Sequence, residues 1–542
     1  MEQKTLNQNE ELETENLTQN EENSAKTMMP NNEETANTQE TVQNEKANWK
    51  EKVLTKRQNG KIIFLNFLAA FIVLSIIWIY LNTGNVTLEQ LIFHLKVPIE
   101  GTNVGMIFDY LGWTFLRILI ILAVISPIIL LYEIKSKRQQ ENKKKILYRC
   151  STIVLALSIA FIIILMDIPT FAKNQILAST FIEEQYVDPK QVNITFPEEK
   201  QNLIYIFLES MENTFVSKED GGLYDVDRMP ELTQLAKENI NFSNTKKLGG
   251  AVDLLGTNWT IAAMVSQTSG VPLKISIEQN SYGRHSTFLP GTYTLGEVLE
   301  QNGYKNYLLL GSESEFGGRK LYFEQHGNYE IWDVNSAIEE QRMTEKDKVW
   351  WGYADKDLFK YAKEQLTEIS QKDEPFNFTM LTVDTHFTDG YVCDKCEKGF
   401  EDQYSNVIRC SSKQISEFVK WIKQQDFFEN TTVIVTGDHL TMQASTEEEA
   451  NKNGYEERTV YNTIINSKIQ PTKTTNRLFF TTDMYPTTLA ALGVQIEGNR
   501  LGLGTNLFSD EPTLIEKYGL EYTREELEKK SVFYNKQLIY GE

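Results

Sequence analysis

Residues 62–81 carry no charged side chain, over a length that matches the roughly 20 residues a helix needs to cross a bilayer. In hydrocarbon every backbone N–H and C=O must be paired within the segment, so an isolated stretch of this kind has only the helix open to it. Two further spans follow, at 111–131 and 150–168. Arg117 lies near one end of the second, where a long side chain reaches the interface, and Asp167 sits at the far edge of the third. Buried core helices are the competing reading, and length and polarity favour membrane spans. Lys50, Lys52, Lys56, Arg57 and Lys61 precede the first span, and the basic loop 135–149 (KSKRQQENKKKILYR) joins the second to the third. The positive-inside rule puts both on the cytoplasmic side, so the chain after about residue 170 is expected outside the cell membrane. The external loop includes 91–99 (LIFHLKVPI), too short to cross and expected to lie on the membrane surface.

The 542 residues divide by texture. Residues 1–57 form an acidic tail whose first 50 residues, rich in Glu, Asn, Gln and Thr, cannot bury enough apolar surface to offset the entropy of ordering; they are expected to be disordered and cytoplasmic. With no apolar stretch and no basic start, this is not a signal peptide. Residues 58–170 form a membrane domain, 171–200 a linker, 201–509 a globular outer domain and 510–542 a charged helical extension. A net charge of −21 argues against nucleic acid as a partner, since such binding rests on a basic surface.

In the outer domain short β-rich runs alternate with helical patterns at 229–238, 293–302, 355–372, 413–425 and 482–492. That alternation predicts an α/β fold with a mostly parallel central sheet. Polar residues stand just after four of the apolar runs. Residues 202–208 (NLIYIFL) end at Glu209, 432–435 (TVIV) lead to Asp438 and His439, 376–383 (FNFTMLTV) to Asp384 and His386, and 304–310 (YKNYLLL) to Ser312 and Glu313. Open α/β sheets hold their ligands at the carboxyl ends of their strands.

Glu209 alone is more often a helix-start or solvated residue, and Asp438 with His439 alone fits a turn Asp beside a satisfied His. Together at one sheet edge they supply oxygen and nitrogen ligands for a divalent cation. Thr257 follows Gly256 and precedes a helical pattern, so it reads as an N-cap. A helix N-terminus also attracts phosphate, and a metal-bound hydroxyl there becomes a nucleophile. Thr260 is the alternative nucleophile. His386 and Arg319 are candidates for phosphate contacts, Arg319 being equally readable as a surface residue.

Cysteine use fits an outer location. Cys393, Cys396 and Cys410 share one loop of the outer domain. Cys396 and Cys410 are expected to pair as a disulfide in an oxidising compartment, with Cys393 left over or competing. A zinc knuckle at Cys393 and Cys396 is the other reading, and it needs further ligands beyond Cys410.

Taken as a set, Glu209-Ser210, Gly256-Thr257, Asp384-Thr385-His386 and Asp438-His439 resemble the lipoteichoic acid synthase and phosphoglycerol transferase family of the alkaline phosphatase and sulfatase superfamily. Residues 255–273 (LGTNWTIAAMVSQTSGVPL), 381–390 (LTVDTHFTDG), 433–442 (VIVTGDHLTM) and 499–507 (NRLGLGTNL) look most like the branch that modifies periplasmic glucans. The resemblance implies an alkaline-phosphatase-like domain in which Glu209, Thr257, Asp438 and His439 hold Mn²⁺ or Mg²⁺. Thr257 would be the catalytic nucleophile, while His386 and Arg319 would bind substrate. It implies phosphatidylglycerol as donor and an envelope glycan or glycolipid as acceptor. A phosphoethanolamine transferase, a lipid-headgroup phosphodiesterase and a non-catalytic envelope-binding relative are the alternatives. The loop with Cys396 and Cys410 resembles a paired-cysteine loop of the glucan-modifying branch. Two departures stand out: Gly317 replaces a Trp that lipoteichoic acid synthases carry before the Arg, and Leu310-Gly311-Ser312 replaces their His-Gly-Asp. The formylglycine-generating motif of sulfatases is absent around Thr257, which disfavours sulfate ester hydrolysis.

Overall fold

The structure is a computed structural model that describes residues 46, 49, 60–82, 86–96, 104–134, 140–275, 287–350, 352–455 and 457–542. The acidic tail lies almost wholly outside the described residues, as do Lys50, Lys52, Lys56, Arg57 and positions 135–139 of the basic loop. Two compact units are present, one from residues up to 71 together with Ile118–Ile159, the other from Ile72–Arg117 together with Ala160–Glu542.

Helix α1 (Gly60–Asn82) is followed by a short helix α2 (Leu88–Lys96), then α3 (Val104–Ile134) and α4 (Gln140–Leu165). Helices α1, α3 and α4 are each long and apolar enough to cross a membrane, and the chain is a multi-pass membrane protein. Within the first unit, Asn66 Nδ2 donates to Ser151 Oγ at 2.8 Å and ties α1 to α4. Polar pairs of this kind hold apolar helices together where no hydrophobic drive exists between them. Helix α2 holds residues 91–96 of the segment expected on the membrane surface, and it packs against the outer domain: Phe93 is buried against the Trp259 ring, and Gln90 Nε2 donates to the Asn258 carbonyl at 3.1 Å.

The outer domain is built on β1 (Asn202–Leu208), β2 (Lys305–Leu310), β3 (Glu330–Trp332), β4 (Phe376–Leu381), β5 (Thr431–Gly437) and β6 (Asn462–Ile465). Their order in the sheet is β3-β2-β4-β1-β5-β6, with every pair parallel except β5 with β6. Beyond Asn202 the central strand β1 is apolar because both its faces are covered. Leu203, Tyr205 and Phe207 enter one core with helices α5 (Thr260–Ser269) and α8 (Met484–Ala491); Ile204, Ile206 and Leu208 enter the other with α6 (Asp355–Ile369) and α7 (Gln403–Ile422). Each such buried side chain contributes about 1.5–3 kcal/mol. Residues 171–200, expected as a linker, include the helices Ile168–Ile176 (in part) and Phe181–Gln185, and Phe181 and Ile182 join the first core. The C-terminal extension also reaches inward: the buried Tyr534 hydroxyl donates to the Pro272 carbonyl at 2.5 Å, just beyond α5.

The end of β5 tolerates only glycine. A Cβ at Gly437 would lie 2.0 Å from the Met211 carbonyl oxygen, a backbone atom with no room to retreat. Gly437→Ala is therefore expected to destabilise the outer domain by about 3 kcal/mol. A thermal melt of the detergent-purified protein checks this; an unchanged melting midpoint would contradict it.

Candidate active site and metal centre

Parallel pairing of β1 with β4 and β5 carries Glu209, Asp384 and Asp438 to one edge of the sheet. The backbone turns at once after β1, with Ser210 in the left-handed region (φ 56°). Its N–H donates to Asp438 Oδ1 at 2.8 Å and its hydroxyl to Glu209 Oε1 at 2.7 Å, so one residue fixes carboxylates from two strands. The Glu209 backbone is held by neighbours from β4: its N–H donates to Thr382 Oγ1 at 3.0 Å, and its carbonyl accepts from Thr385 Oγ1. Gln267 of α5 donates its Nε2 to the carbonyls of Gly437 at 3.0 Å and Asp438 at 3.4 Å.

Glu209, Asp438 and His439 are all buried, and they offer ligand atoms within 4.8 Å of one another. His439 Nδ1 is engaged by the Leu440 carbonyl at 2.8 Å. That leaves Nε2 facing Asp438 Oδ2 at 3.4 Å and Glu209 Oε1 at 3.6 Å. Asp438 Oδ1 accepts two backbone N–H groups, from Ser210 and from His439 at 2.7 Å, while its buried Oδ2 has no hydrogen-bond partner among the described residues. A buried orphan carboxylate oxygen aimed at a second carboxylate and an imidazole nitrogen is what a cation would satisfy. The donor set of two carboxylates and one imidazole suits a divalent metal.

The electrostatics agree with a shared positive requirement. Burial opposes ionisation of Glu209, yet His439 and His386 hold its carboxyl below the ordinary range. Burial, and then the charge of Glu209, push Asp438 up to about 8. One carboxylate of the pair thus lacks a counter-charge.

Thr257 is not the helix cap that its sequence suggests. Helix α5 starts at Thr260, with Trp259 in extended conformation at the N-cap and no side chain capping it. Gly256, at φ +86°, forms a tight turn instead. In this turn Thr257 is buried, and its Oγ1 donates to the Leu254 carbonyl at 2.9 Å. Thr260, in the first turn of the helix, reaches Glu209 Oε2 from its Oγ1 at 3.3 Å. The Thr257 loop and the Glu209 edge are therefore joined through Thr260.

Arg319 is buried, not a surface residue. Its Nη2 donates to Ser312 Oγ at 3.0 Å and to the Glu313 carbonyl at 2.6 Å, and its Nε to the Phe316 carbonyl at 3.0 Å. Nη1 makes no hydrogen bond among the described residues. Burial lowers its pKa to about 10, against the pull of Glu209 first among the nearby acids. Ser312, one of the departures from the lipoteichoic acid synthase pattern, therefore orients this guanidinium without neutralising it. His386 gives its Nδ1 to the Phe387 carbonyl at 2.5 Å and feels the charges of Glu209 and His439, while burial lowers its pKa.

Two supports were not anticipated from the sequence. Asp355 and Asp384 exchange bonds: Asp355 accepts from Val383 N at 2.7 Å and Asp384 N at 3.2 Å, and Asp384 accepts from Asp355 N at 3.1 Å. This fixes the turn that presents His386. Glu212 takes both Arg458 Nε at 2.8 Å and the Thr441 N–H at 2.7 Å, which braces the loop after His439. Ser210 had a signal, its place directly after Glu209; the others show only once the strands are paired.

The fold and site define a class: an α/β protein with a candidate divalent-metal centre at the carboxyl edge of its sheet. The family profile described as Sulfatase matches residues 201–494, more than half of the chain, and the chain belongs to that family. Its outer domain is alkaline-phosphatase-like. Among curated proteins it is 33% identical over 262 residues to phosphoglycerol transferase I of Escherichia coli O127:H6, which covers 47% of this chain and 32% of the relative. The Citrobacter koseri protein of the same name matches over the same shares at the same identity. The match thus spans about a third of the length of these relatives. Among solved structures it is similar to the lipoteichoic acid synthase LtaP of Listeria monocytogenes (TM-score 0.48, 17% identity, 61% of this chain and 82% of that one). It is also similar to an alkaline phosphatase superfamily protein of Vibrio parahaemolyticus (TM-score 0.46, 21% identity, 61% and 76%).

Proposed function

We propose that this chain is a membrane-anchored glycerophosphotransferase that moves glycerol phosphate from phosphatidylglycerol to a hydroxyl of an envelope glycan or glycolipid. The observation that carries the reading is the buried Glu209–Asp438–His439 cluster with its orphan Asp438 Oδ2, joined through Thr260 to the loop of Thr257. The name of the curated relatives, phosphoglycerol transferase I, supports transfer of a phosphoglycerol group. A cavity of about 330 Å³ supports a lipid donor. Ile76, Ile79 and Tyr80 of α1 line it with Leu165 and Phe171, and so does Leu255, two residues before Thr257. An acyl chain seated among these residues brings its headgroup phosphate toward the threonine.

In this scheme Thr257 Oγ attacks phosphorus, the bond to diacylglycerol breaks, and the threonine proton ends on the departing alcohol. The acceptor hydroxyl then attacks the same phosphorus, its proton returns to Thr257, and the glycerophosphoryl group leaves on the acceptor. Arg319 and His386 bind the phosphoryl oxygens, with Ser312 holding the guanidinium in place. Ser210 and Gln267 keep the ligand carboxylates and their backbone fixed. Mn²⁺ or Mg²⁺, held by Glu209, Asp438, His439 and Thr257, would supply Lewis-acid stabilisation of the alkoxide and phosphoryl oxygens.

The test is turnover by the full-length protein in mixed vesicles with labelled phosphatidylglycerol or labelled phosphatidylethanolamine. Diacylglycerol release from the first, with label moving to a glycan acceptor, is the expected result. Release only from phosphatidylethanolamine would replace the donor, release without acceptor labelling would mark a phosphodiesterase, and no release from either would favour a binding protein. Topology is checked separately. A reporter fused after residue 185 is expected to read as external and one at about residue 140 as cytoplasmic. The reverse pattern would remove access to envelope acceptors.

A further inference from the structure

The cysteines of the outer domain form a second cluster, distinct from the carboxylate–imidazole one. Cys393 and Cys396 face each other across a turn closed by the Cys396 N–H on the Cys393 carbonyl at 3.1 Å. Cys410 comes from α7, and the three sulfurs lie within 4.8 Å of one another. The Cys393 sulfur is 3.6 Å from that of Cys396 and 3.9 Å from that of Cys410. One turn along α7, on the same face, Gln414 brings its amide to 3.8 Å from the Cys393 sulfur and 3.6 Å from the Cys410 sulfur. Gln414 is only 4% exposed, and its Oε1 is buried with no hydrogen-bond partner among the described residues.

These separations have a simple common source. A tetrahedral zinc with Zn–S bonds of about 2.3 Å sets its ligand sulfurs about 3.8 Å apart. A disulfide needs about 2.05 Å between two sulfurs and leaves the third cysteine of the trio without a role. The amide supplies the fourth corner. The oxygen and nitrogen of a glutamine amide are interchangeable by a flip that alters no shape. With the oxygen inward, the orphan Oε1 takes the place now 3.6–3.8 Å from two sulfurs, the edge length of the same tetrahedron. We propose that Cys393, Cys396, Cys410 and the Gln414 amide oxygen form a structural site for zinc, separate from the carboxylate–imidazole centre. Ligand softness keeps the two apart: thiolates select zinc, whereas two carboxylates and one imidazole suit a harder cation. The site clamps the loop that runs on from His386, through Tyr391 and Cys393, to the buried face of α7. That loop is already tied at Asp384, whose carbonyl accepts the Tyr391 N–H at 2.7 Å.

The experiment uses the full-length protein in detergent, reduced, stripped of metal and titrated with Co²⁺. The expected result is a sulfur-to-cobalt charge-transfer band that saturates at about one equivalent bound to thiolate, unchanged in His439→Ala and lost in Cys410→Ser. Gln414→Leu keeps every thiol and is expected to weaken this uptake at least about tenfold. Protein taken from native membranes is expected to hold zinc in the same ratio and to show Cys393, Cys396 and Cys410 as thiols after denaturation without reductant. A disulfide within the trio in that sample, or a folded wild type whose cobalt spectrum lacks the sulfur band, would overturn the site. Unaltered affinity in Gln414→Leu would overturn the fourth ligand. None of these readouts depends on transferase activity, so this site and the proposed reaction stand or fall separately.

Discussion

Thr257→Ala is expected to abolish release of diacylglycerol from phosphatidylglycerol, with a loss on the order of 10⁴-fold or more. A covalent nucleophile is not one contact among many; without it the two-step route has no first step. The geometry makes the neighbouring control decisive. Thr260, not Thr257, holds the hydrogen bond to Glu209, at 3.3 Å, and the Thr257 hydroxyl rests on the Leu254 carbonyl. If Thr260 only props Glu209, Thr260→Ala costs about tenfold, the scale of losing a supporting contact to a metal ligand. Steady-state assays of both variants check this. Near-normal transfer by Thr257→Ala, or the larger loss in Thr260→Ala, would move the nucleophile to Thr260.

His439→Ala is expected to lose both bound manganese and turnover while the domain stays folded. The imidazole stands between two buried carboxylates, and its Nε2 faces both. Its removal deletes the one nitrogen ligand and leaves Glu209 and Asp438 facing each other without a counter-charge. The strand does not need that side chain: β5 keeps its pairing with β1 and β6, and the Asp438 N–H still donates to the Leu208 carbonyl at 3.0 Å. Manganese affinity is expected to fall at least about 100-fold, while the domain still melts in one cooperative transition, at a midpoint lowered by the unpaired carboxylates. Manganese titration and a thermal melt, run on one preparation, check both halves. Undiminished manganese binding would place the centre elsewhere.

The central strands were legible because burial on both faces writes a continuous apolar run. β1 matches its sequence run at both ends, and β2, β4 and β5 match within two residues. β3 and β6 were not legible. β3 is three residues long, and β6 opens with Asn462, a polar residue that is buried because its amide bonds the Phe242 and Gly249 carbonyls. Helix α7 starts ten residues ahead of its apolar pattern because its first half buries Ser405, Ser411 and Ser412 in place of apolar residues. The start of α5 was misplaced by a Gly-preceded threonine that imitates a cap. Glu209, Asp438 and His439 could be found because each directly follows a readable strand. The residues that orient them are Ser, Thr and Gln, types that carry no positional signal until strand register sets their neighbours. The same holds for the Asp355–Asp384 exchange and for Gln414, whose meaning depends on which sulfurs it meets.

The most direct measurement is the mass of the protein in mid-turnover. Full-length wild type is mixed with phosphatidylglycerol, quenched in acid within the first turnover, digested and analysed by mass spectrometry. A glycerophosphoryl adduct on the Thr257 side chain, chased away by added glycan acceptor and absent from Thr257→Ala, is the predicted result. Label transfer to acceptor with no adduct on the protein, or an adduct on Thr260, would contradict a covalent route through Thr257.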